Sequence, residues 1–207
     1  MHKSLVKICK GFSFSGDVAT DAIGLLIHHG RERVAKHVLA VANEAQRIAS
    51  KVNLDKEVAR STGYLHDISQ VLPRSDMESA AFELGIDLLP EEKLAPYLIH
   101  GKLSAALANK IFAITDQSII EAISCHTTLR SNASLLDKVL FIADKMSWDL
   151  KNAPFRPQLT MALEESIDEA VGCFLTWTWN QRGNFDAIHP WLQQAYTEYE
   201  RKGFCKM

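Results

Sequence analysis

Residues 31–52, RERVAKHVLAVANEAQRIASKV, decide the fold. Val34, Val38, Val41, Ala45, Ile48 and Val52 recur at steps of three and four, the spacing of a helix with one buried face. His37 follows Val34 by three residues and precedes Val41 by four, so it borders the buried stripe. Arg33 lies on the same side one turn earlier. Alone, His37 reads as a satisfied histidine at a core edge.

The same pattern continues on the C-terminal side. Asp55 is a good N-cap, and the helix after it runs through Val58, Ala59, Thr62 and Leu65 to the adjacent pair His66-Asp67. Pro73 marks a loop, Ser75-Asp76-Met77-Glu78 reads as a capping box, and the helix it opens closes near Gly85. Pro90 and Pro96 break the next stretch. His100 then opens a helix beside Gly101, a residue that lets another group approach the backbone closely. Asp116 caps a helix whose inward positions are Ile119, Ile123 and His126. Ser134 caps another, in which Asp144 follows Leu140 by four and lies close to the buried side. Residues 157–180 read as one long helix stopped by Gly183, and Pro190 is the first residue of the last, stopped by Gly203. On the N-terminal side, residues 11–17 are a loop and Asp17 to Ile27 a short helix. His28 and His29 form a solvated end before Gly30.

No period-two run of β-branched residues and no internal repeat stands out, so the fold class is all-α. We expect an N-terminal extension over 1–30, a helical core over 31–150, and C-terminal helices over 151–207 that pack on the same domain. Hydrophobic residues make up 47% and charged residues 23% of the 207, the balance of an ordinary globular chain. A net charge of −2 supplies no field for nucleic acid, so a phosphate-bearing ligand needs a local site. The apolar run 23–27 is too short to span a membrane. Cys9, Cys125, Cys173 and Cys205 are widely spaced thiols, which suggests a reducing, cytoplasmic setting. Cys125 adjoins His126 but faces another way on a helix, and reads as a small buried residue. Trp177, Trp179 and Trp191 are large apolar surfaces for core packing or a dimer contact, which leaves a homodimer open.

His37, His66, Asp67, His100, His126 and Asp144 stand at or near inward helical positions on five helices. Facing helices build metal sites in a bundle core from such side chains, and a buried carboxylate needs a cation or a partner. One metal would take His37, His66, Asp67 and Asp144. A second would take His100 and His126, with Asp67 as the bridge.

This pattern resembles the HD-domain metal-dependent phosphohydrolases, and more narrowly the YqeK family of symmetrical diadenosine tetraphosphate hydrolases. The matching blocks are Arg33 to His37, Gly63 to Ser69, Pro96 to Gly101, Ala122 to Thr128 and Ile142 to Lys145, with Ile188-His189-Pro190 similar to the family's tail. The resemblance implies a helical bundle around a two-metal centre. Iron is the first choice, with manganese, zinc or nickel as alternatives. A metal-activated hydroxide would cut diadenosine tetraphosphate into two ADP molecules. His66 and Asp67 would carry the catalytic centre. Substrate contacts would fall to Arg33, Gln70, Lys102, Thr127, Thr128, Arg130 and Lys145. The chain also departs from the family pattern. Gln70 replaces the lysine of His-Asp-x-x-Lys, and Leu129 replaces the glycine after His-Thr-Thr. Met146-Ser147-Trp148-Asp149 replaces an Ile-Glu-Pro run with a following arginine. Two further readings stay open: hydrolysis of another nucleotide or phosphoester, and a metal- and nucleotide-binding module with little turnover.

Overall fold

A computed structural model describes residues 2–148 and 153–204. Asp149, Cys205 and the expected boundary at 150/151 lie outside the described residues. The described residues form twelve α-helices and no strand. The helices are α1 (Lys3–Cys9), α2 (Val18–His28), α3 (Glu32–Lys51), α4 (Lys56–Leu65), α5 (Arg74–Glu83) and α6 (Pro90–Leu94). They continue with α7 (His100–Phe112), α8 (Gln117–Cys125), α9 (Leu135–Met146), α10 (Arg156–Glu165), α11 (Ile167–Asn180) and α12 (Pro190–Arg201). None is long and apolar enough to cross a membrane.

Small residues set how closely the central helices pack. The buried stripe of α3 contains Ala35, Ala42, Ala45 and Ala49 between its valines and Ile48. Gly63 of α4 lies against that stripe, where a Cβ would come within 2.6 Å of the Ala42 Cα. Gly101 of α7 meets α8 in the same way, with a Cβ position 2.8 Å from the Ser124 carbonyl oxygen. The close approach expected at this glycine is therefore to the end of α8. α9 packs on α3, α4, α8 and α11, and α12 packs on α11. One hydrophobic cluster runs from Ile8 through Ala22, Leu25 and Leu26 to Leu175, Leu192 and Tyr199.

Local chemistry explains the boundaries that differ from expectation. The stretch 157–180 is two helices because Ser166 is extended (φ −165°, ψ 163°) and its hydroxyl caps α11 by accepting from Glu169 N at 3.0 Å. α5 begins at Arg74, directly after the extended Pro73. Ser75 is therefore inside the helix and bonds Asp76 rather than capping. Pro90 and Pro96 each start a short helical turn, since a missing N–H costs nothing at that position. α1 had no clear sequence signal. It is tied down by Ser4 to Glu83, by Lys7 to Asp76, and by His28 and His29, whose Nε2 atoms donate to the Lys10 and Ile8 carbonyls. His28 and His29 thus anchor a neighbouring helix instead of being simply solvated. Trp177 packs on Phe155 and Phe174, and Trp179 stacks on Tyr196 at 4.6 Å.

Two stability measurements follow from this packing. Gly63→Ala forces α3 and α4 apart and should cost about 1–3 kcal/mol in urea unfolding, a typical overpacking penalty. Unchanged stability would mean the helices are not in backbone contact. Glu92 is buried yet charged: burial alone would raise its pKa, but His189, Lys102 and the Leu89 N–H together hold it below the ordinary value. Its contribution is present above the unfolded glutamate value of about 4.3 and is lost as pH falls below that. Glu92→Gln should therefore flatten the loss of stability between neutral and acid pH, measured by unfolding across that range.

Candidate metal centre

Three of the histidines stand at helix ends, and that position fixes their chemistry. His66 ends α4, His126 ends α8, and His100 begins α7 directly after the turn 96–99. Carbonyls in such turns lack backbone partners. Each ring folds back onto the carbonyl three residues earlier: His66 Nδ1 to Gly63 at 2.7 Å, His100 Nδ1 to Tyr97 at 2.5 Å, His126 Nδ1 to Ile123 at 2.8 Å. A carbonyl only accepts, so Nδ1 carries the proton and Nε2 presents a lone pair. This is the orientation that metal-binding histidines usually need.

The three Nε2 atoms converge on Asp67. Its Oδ1 lies 3.4 Å from His100 Nε2 and 3.9 Å from His126 Nε2, while Oδ2 lies 3.9 Å from His66 Nε2. His37 meets Asp144 Oδ1 at 3.0 Å, and the same oxygen is 3.8 Å from His66 Nε2. Two groups that could hold a metal ion result, His37-His66-Asp67 and Asp67-His100-His126, with Asp67 common to both. A cation bonded at about 2.0–2.2 Å to each ligand holds neighbouring ligand atoms about 3–3.5 Å apart. The observed separations are close to that span.

The protonation balance also fits a cation. Burial drives the His66 and His126 pKa values down, for His126 well below the ordinary value, so both rings stay neutral. Burial would raise the Asp67 pKa, but charge attraction to His66, His100 and His126, felt whenever one of those rings is protonated, holds it below its ordinary value. Asp144 is likewise held well below its ordinary value against the effect of burial, first by Lys145 and then by His37. His100 Nε2 and His126 Nε2 face each other at 3.1 Å, although each ring has already given its Nδ1 proton to a carbonyl. His66 Nε2 and Asp67 Oδ1 are buried with no hydrogen-bond partner. Electron pairs gathered without protons to share suit a divalent cation with mixed N/O ligands.

The expected substrate residues divide into two sets. Arg33 and Lys36 line a surface groove with His37 and Trp148. Thr127 Oγ1 lies 3.1 Å from His100 Nε2 and 3.3 Å from His126 Nε2. Lys145 is buried, donating to Asp144 Oδ2 at 2.5 Å and to the His126 carbonyl at 3.0 Å. Gln70 is half-buried in the turn after Asp67, its backbone N–H on the Asp67 carbonyl. By contrast, Arg130 is held by Asp137 and Glu121, and Lys102 by buried Glu92 and the Asp87 carbonyl. Thr128 bonds the Leu129 carbonyl. These three do not reach the ligand cluster through the bonds they make.

Leu129 shows why a glycine is expected there. Its φ is +59°, the left-handed region, and its N–H closes a turn onto the Cys125 carbonyl. That backbone costs an L-residue about 1–2 kcal/mol. A fully buried leucine contributes about 1.5–3 kcal/mol, so burial offsets the strain. Cys125 is buried, its thiol pKa pushed far up, and it donates to the Ala122 carbonyl rather than acting as a nucleophile.

Trp148 escaped the sequence reading as a contributor to the centre. Its indole Nε1 donates to Asp144 Oδ1 at 3.2 Å, so it and Lys145 hold both oxygens of that carboxylate. A residue four after an aspartate on a helix returns to the same side, and that was the available signal.

Comparison with known proteins places this geometry. A family model described as HD domain matches residues 34–149. The chain belongs to the HD-domain family. It is 40% identical over 150 residues to an uncharacterized protein in the pepC 5'region of Lactococcus lactis subsp. cremoris, covering 72% of this chain and 76% of that one. The symmetrical bis(5'-nucleosyl)-tetraphosphatase of Bacillus subtilis (strain 168) is 29% identical over 52% of this chain and 58% of its own length. That of Staphylococcus aureus (strain NCTC 8325 / PS 47) is 31% identical over 55% and 58%. The match thus spans under two thirds of either tetraphosphatase. A crystal structure from Clostridium acetobutylicum, described as a predicted HD superfamily hydrolase involved in NAD metabolism, superposes with a TM-score of 0.82 at 29% identity. That match covers 92% of this chain and 100% of the other.

If Asp67 serves both ligand groups, Asp67→Ala should abolish metal loading, measured by elemental analysis after reconstitution and desalting. Lys145→Met, which leaves every ligand in place, should only weaken it. Full metal content in Asp67→Ala would remove Asp67 from the ligand set.

Proposed function

We propose that this chain is a divalent-metal-dependent phosphohydrolase acting on a nucleotide phosphoanhydride, with diadenosine tetraphosphate cut symmetrically to two ADP as the leading substrate. The observation behind it is Asp67, with one oxygen turned to His66 and the other to His100 and His126. Relatives named symmetrical tetraphosphatase support the substrate class.

His37, His66, Asp67 and Asp144 would hold one cation; His100 and His126, with Asp67 shared, would hold the other. Divalent cations there, iron first and manganese, zinc or nickel as alternatives, would supply Lewis acidity at the phosphoryl oxygens and lower the pKa of water. Asp67, with both oxygens committed, is a ligand rather than a free base. Thr127 Oγ1, beside the paired Nε2 atoms, is placed to donate to a phosphoryl oxygen or to orient water. Lys145 keeps Asp144 ionised and fixed in orientation. Arg33 and Lys36, in the groove that includes His37, bring positive charge to the side where a polyphosphate chain would lie. Gln70 offers a neutral amide at the position where the family pattern has a cation.

One observation favours a binding module with little turnover: Lys102 and Arg130 are occupied by internal carboxylates, and Gln70 adds no charge.

The test is protein reconstituted anaerobically with iron or manganese, given diadenosine tetraphosphate, other dinucleotides and simple nucleotides, with products separated by chromatography. We expect ADP as the sole product of diadenosine tetraphosphate, and loss of activity with a chelator. ATP plus AMP would overturn the symmetrical reading. Cleavage of a different nucleotide would move the substrate, and stoichiometric metal without turnover would favour the binding module.

A further inference from the structure

Among the described residues, four aspartates stand directly before a helix or helical turn: Asp17, Asp55, Asp67 and Asp116. Three of them do what that position favours. Asp17, Asp55 and Asp116 have ψ between 112° and 119°, and each carboxylate accepts from a backbone N–H two or three residues on. Asp67 does not. It precedes the turn Ile68–Val71 with ψ at 17°, and its side chain caps none of that turn's N–H groups. Its oxygens face His66, His100 and His126 instead.

The N–H that Asp67 leaves is taken by another helix. Ser69 N donates to Ser104 Oγ of α7 at 3.1 Å. Ser104 Oγ donates in turn to Ser69 Oγ at 3.0 Å, and Ser69 Oγ to the His100 carbonyl at 2.9 Å. Both serines are fully buried. In such a place an unpaired N–H costs about as much as a lost hydrogen bond.

We infer that Ser104 caps the turn after Asp67 in place of the Asp67 side chain, and so keeps that carboxylate for the metal centre. The inference rests on the metal-binding half of the proposed function and not on the substrate. Ser104 is a positioning residue: its hydroxyl bonds only Ser69, and it acts on Asp67 through the Ser69 N–H. Without that hydroxyl, the turn can satisfy its own N–H only if Asp67 adopts the ψ of the other three caps and bonds it. The carboxylate is then withdrawn from the imidazoles. Because Asp67 is common to both groups of candidate ligands, both lose it together. A plain strut between the turn and α7 would need the two serine hydroxyls equally. A cap needs only the Ser104 oxygen, since residue 69 supplies its N–H whatever side chain it carries.

Metal binding, rather than turnover, tests the inference. Manganese is titrated into the full-length protein after chelation and desalting, with the free ion followed by electron paramagnetic resonance, for wild type, Ser104→Ala, Ser69→Ala and Ser104→Thr. We expect Ser104→Ala to bind manganese about 10- to 100-fold more weakly, the loss usual when a group that orients a ligand is removed. Ser69→Ala should stay within about threefold of wild type. Ser104→Thr, which keeps the oxygen, should restore affinity to the same range. Crystals of metal-free Ser104→Ala should show the Asp67 carboxylate at the Ser69 N–H. Equal weakening in the two alanine variants would make the serine pair a strut and overturn the inference. So would unchanged affinity in Ser104→Ala, or an Asp67 still turned to the imidazoles in its crystals. Should Ser104→Thr fail to fold by circular dichroism, the contrast between the alanine variants decides. Wild-type protein that takes up neither manganese nor iron would sink the metal reading, and the place of Asp67 in crystalline Ser104→Ala would still decide the cap.

Discussion

Four imidazoles and two carboxylates share one interior space in this protein, and lone pairs outnumber the protons that could join them. Three rings have given their Nδ1 protons to carbonyls at the ends of helical turns. Lys145 and Trp148 supply hydrogens to Asp144, and His37 shares one with it, but Asp67 and His66 keep unpaired atoms. Such a cluster is unfavourable in a low-dielectric interior unless positive charge enters it. Much of the packing serves to hold it together: α3, α4, α7, α8 and α9 each bring one or two members to the same point.

The helical register made much of this legible. His37 and Asp144 stand at positions defined by Val34, Val41 and Leu140, and the fold brings them to 3.0 Å. Asp55, Asp116 and Ser134 cap the helices their side chains suggested, because an N-cap is a local hydrogen bond, and Asp17 caps α2 in the same way without having been read as a cap. What failed depended on competition between local signals or on distant partners. Ser166 was hidden within a continuous apolar period, and its cap won over helix continuation. α1, seven residues long, is too short to display a helical period and is held by groups far along the chain, among them Glu83 and His29. Nothing near Lys102 or Arg130 in sequence says that Glu92 and Glu121 will occupy them.

Ligand-type and substrate-type residues therefore differ in how readable they are. A ligand must be inward, and period alone reveals that. A phosphate-binding cation works from a rim, where a lysine or arginine is equally suited to an internal ion pair. Arg130 shows the ambiguity: it joins Asp137, itself part of the cap of α9, to Glu121 of α8, and so fastens two of the helices that carry the His/Asp cluster.

The two glycine contacts have an evolutionary consequence. At Gly63 and Gly101 main chain meets main chain, so the spacing of the helices that present His37, His66, His100 and His126 does not depend on the size of any intervening side chain. Residues around the rim, such as Gln70 and Trp148, take no part in these main-chain contacts and do not set the dimensions of the His/Asp frame. A scaffold built this way can diverge in what it recognises long before it loses the means to react with it.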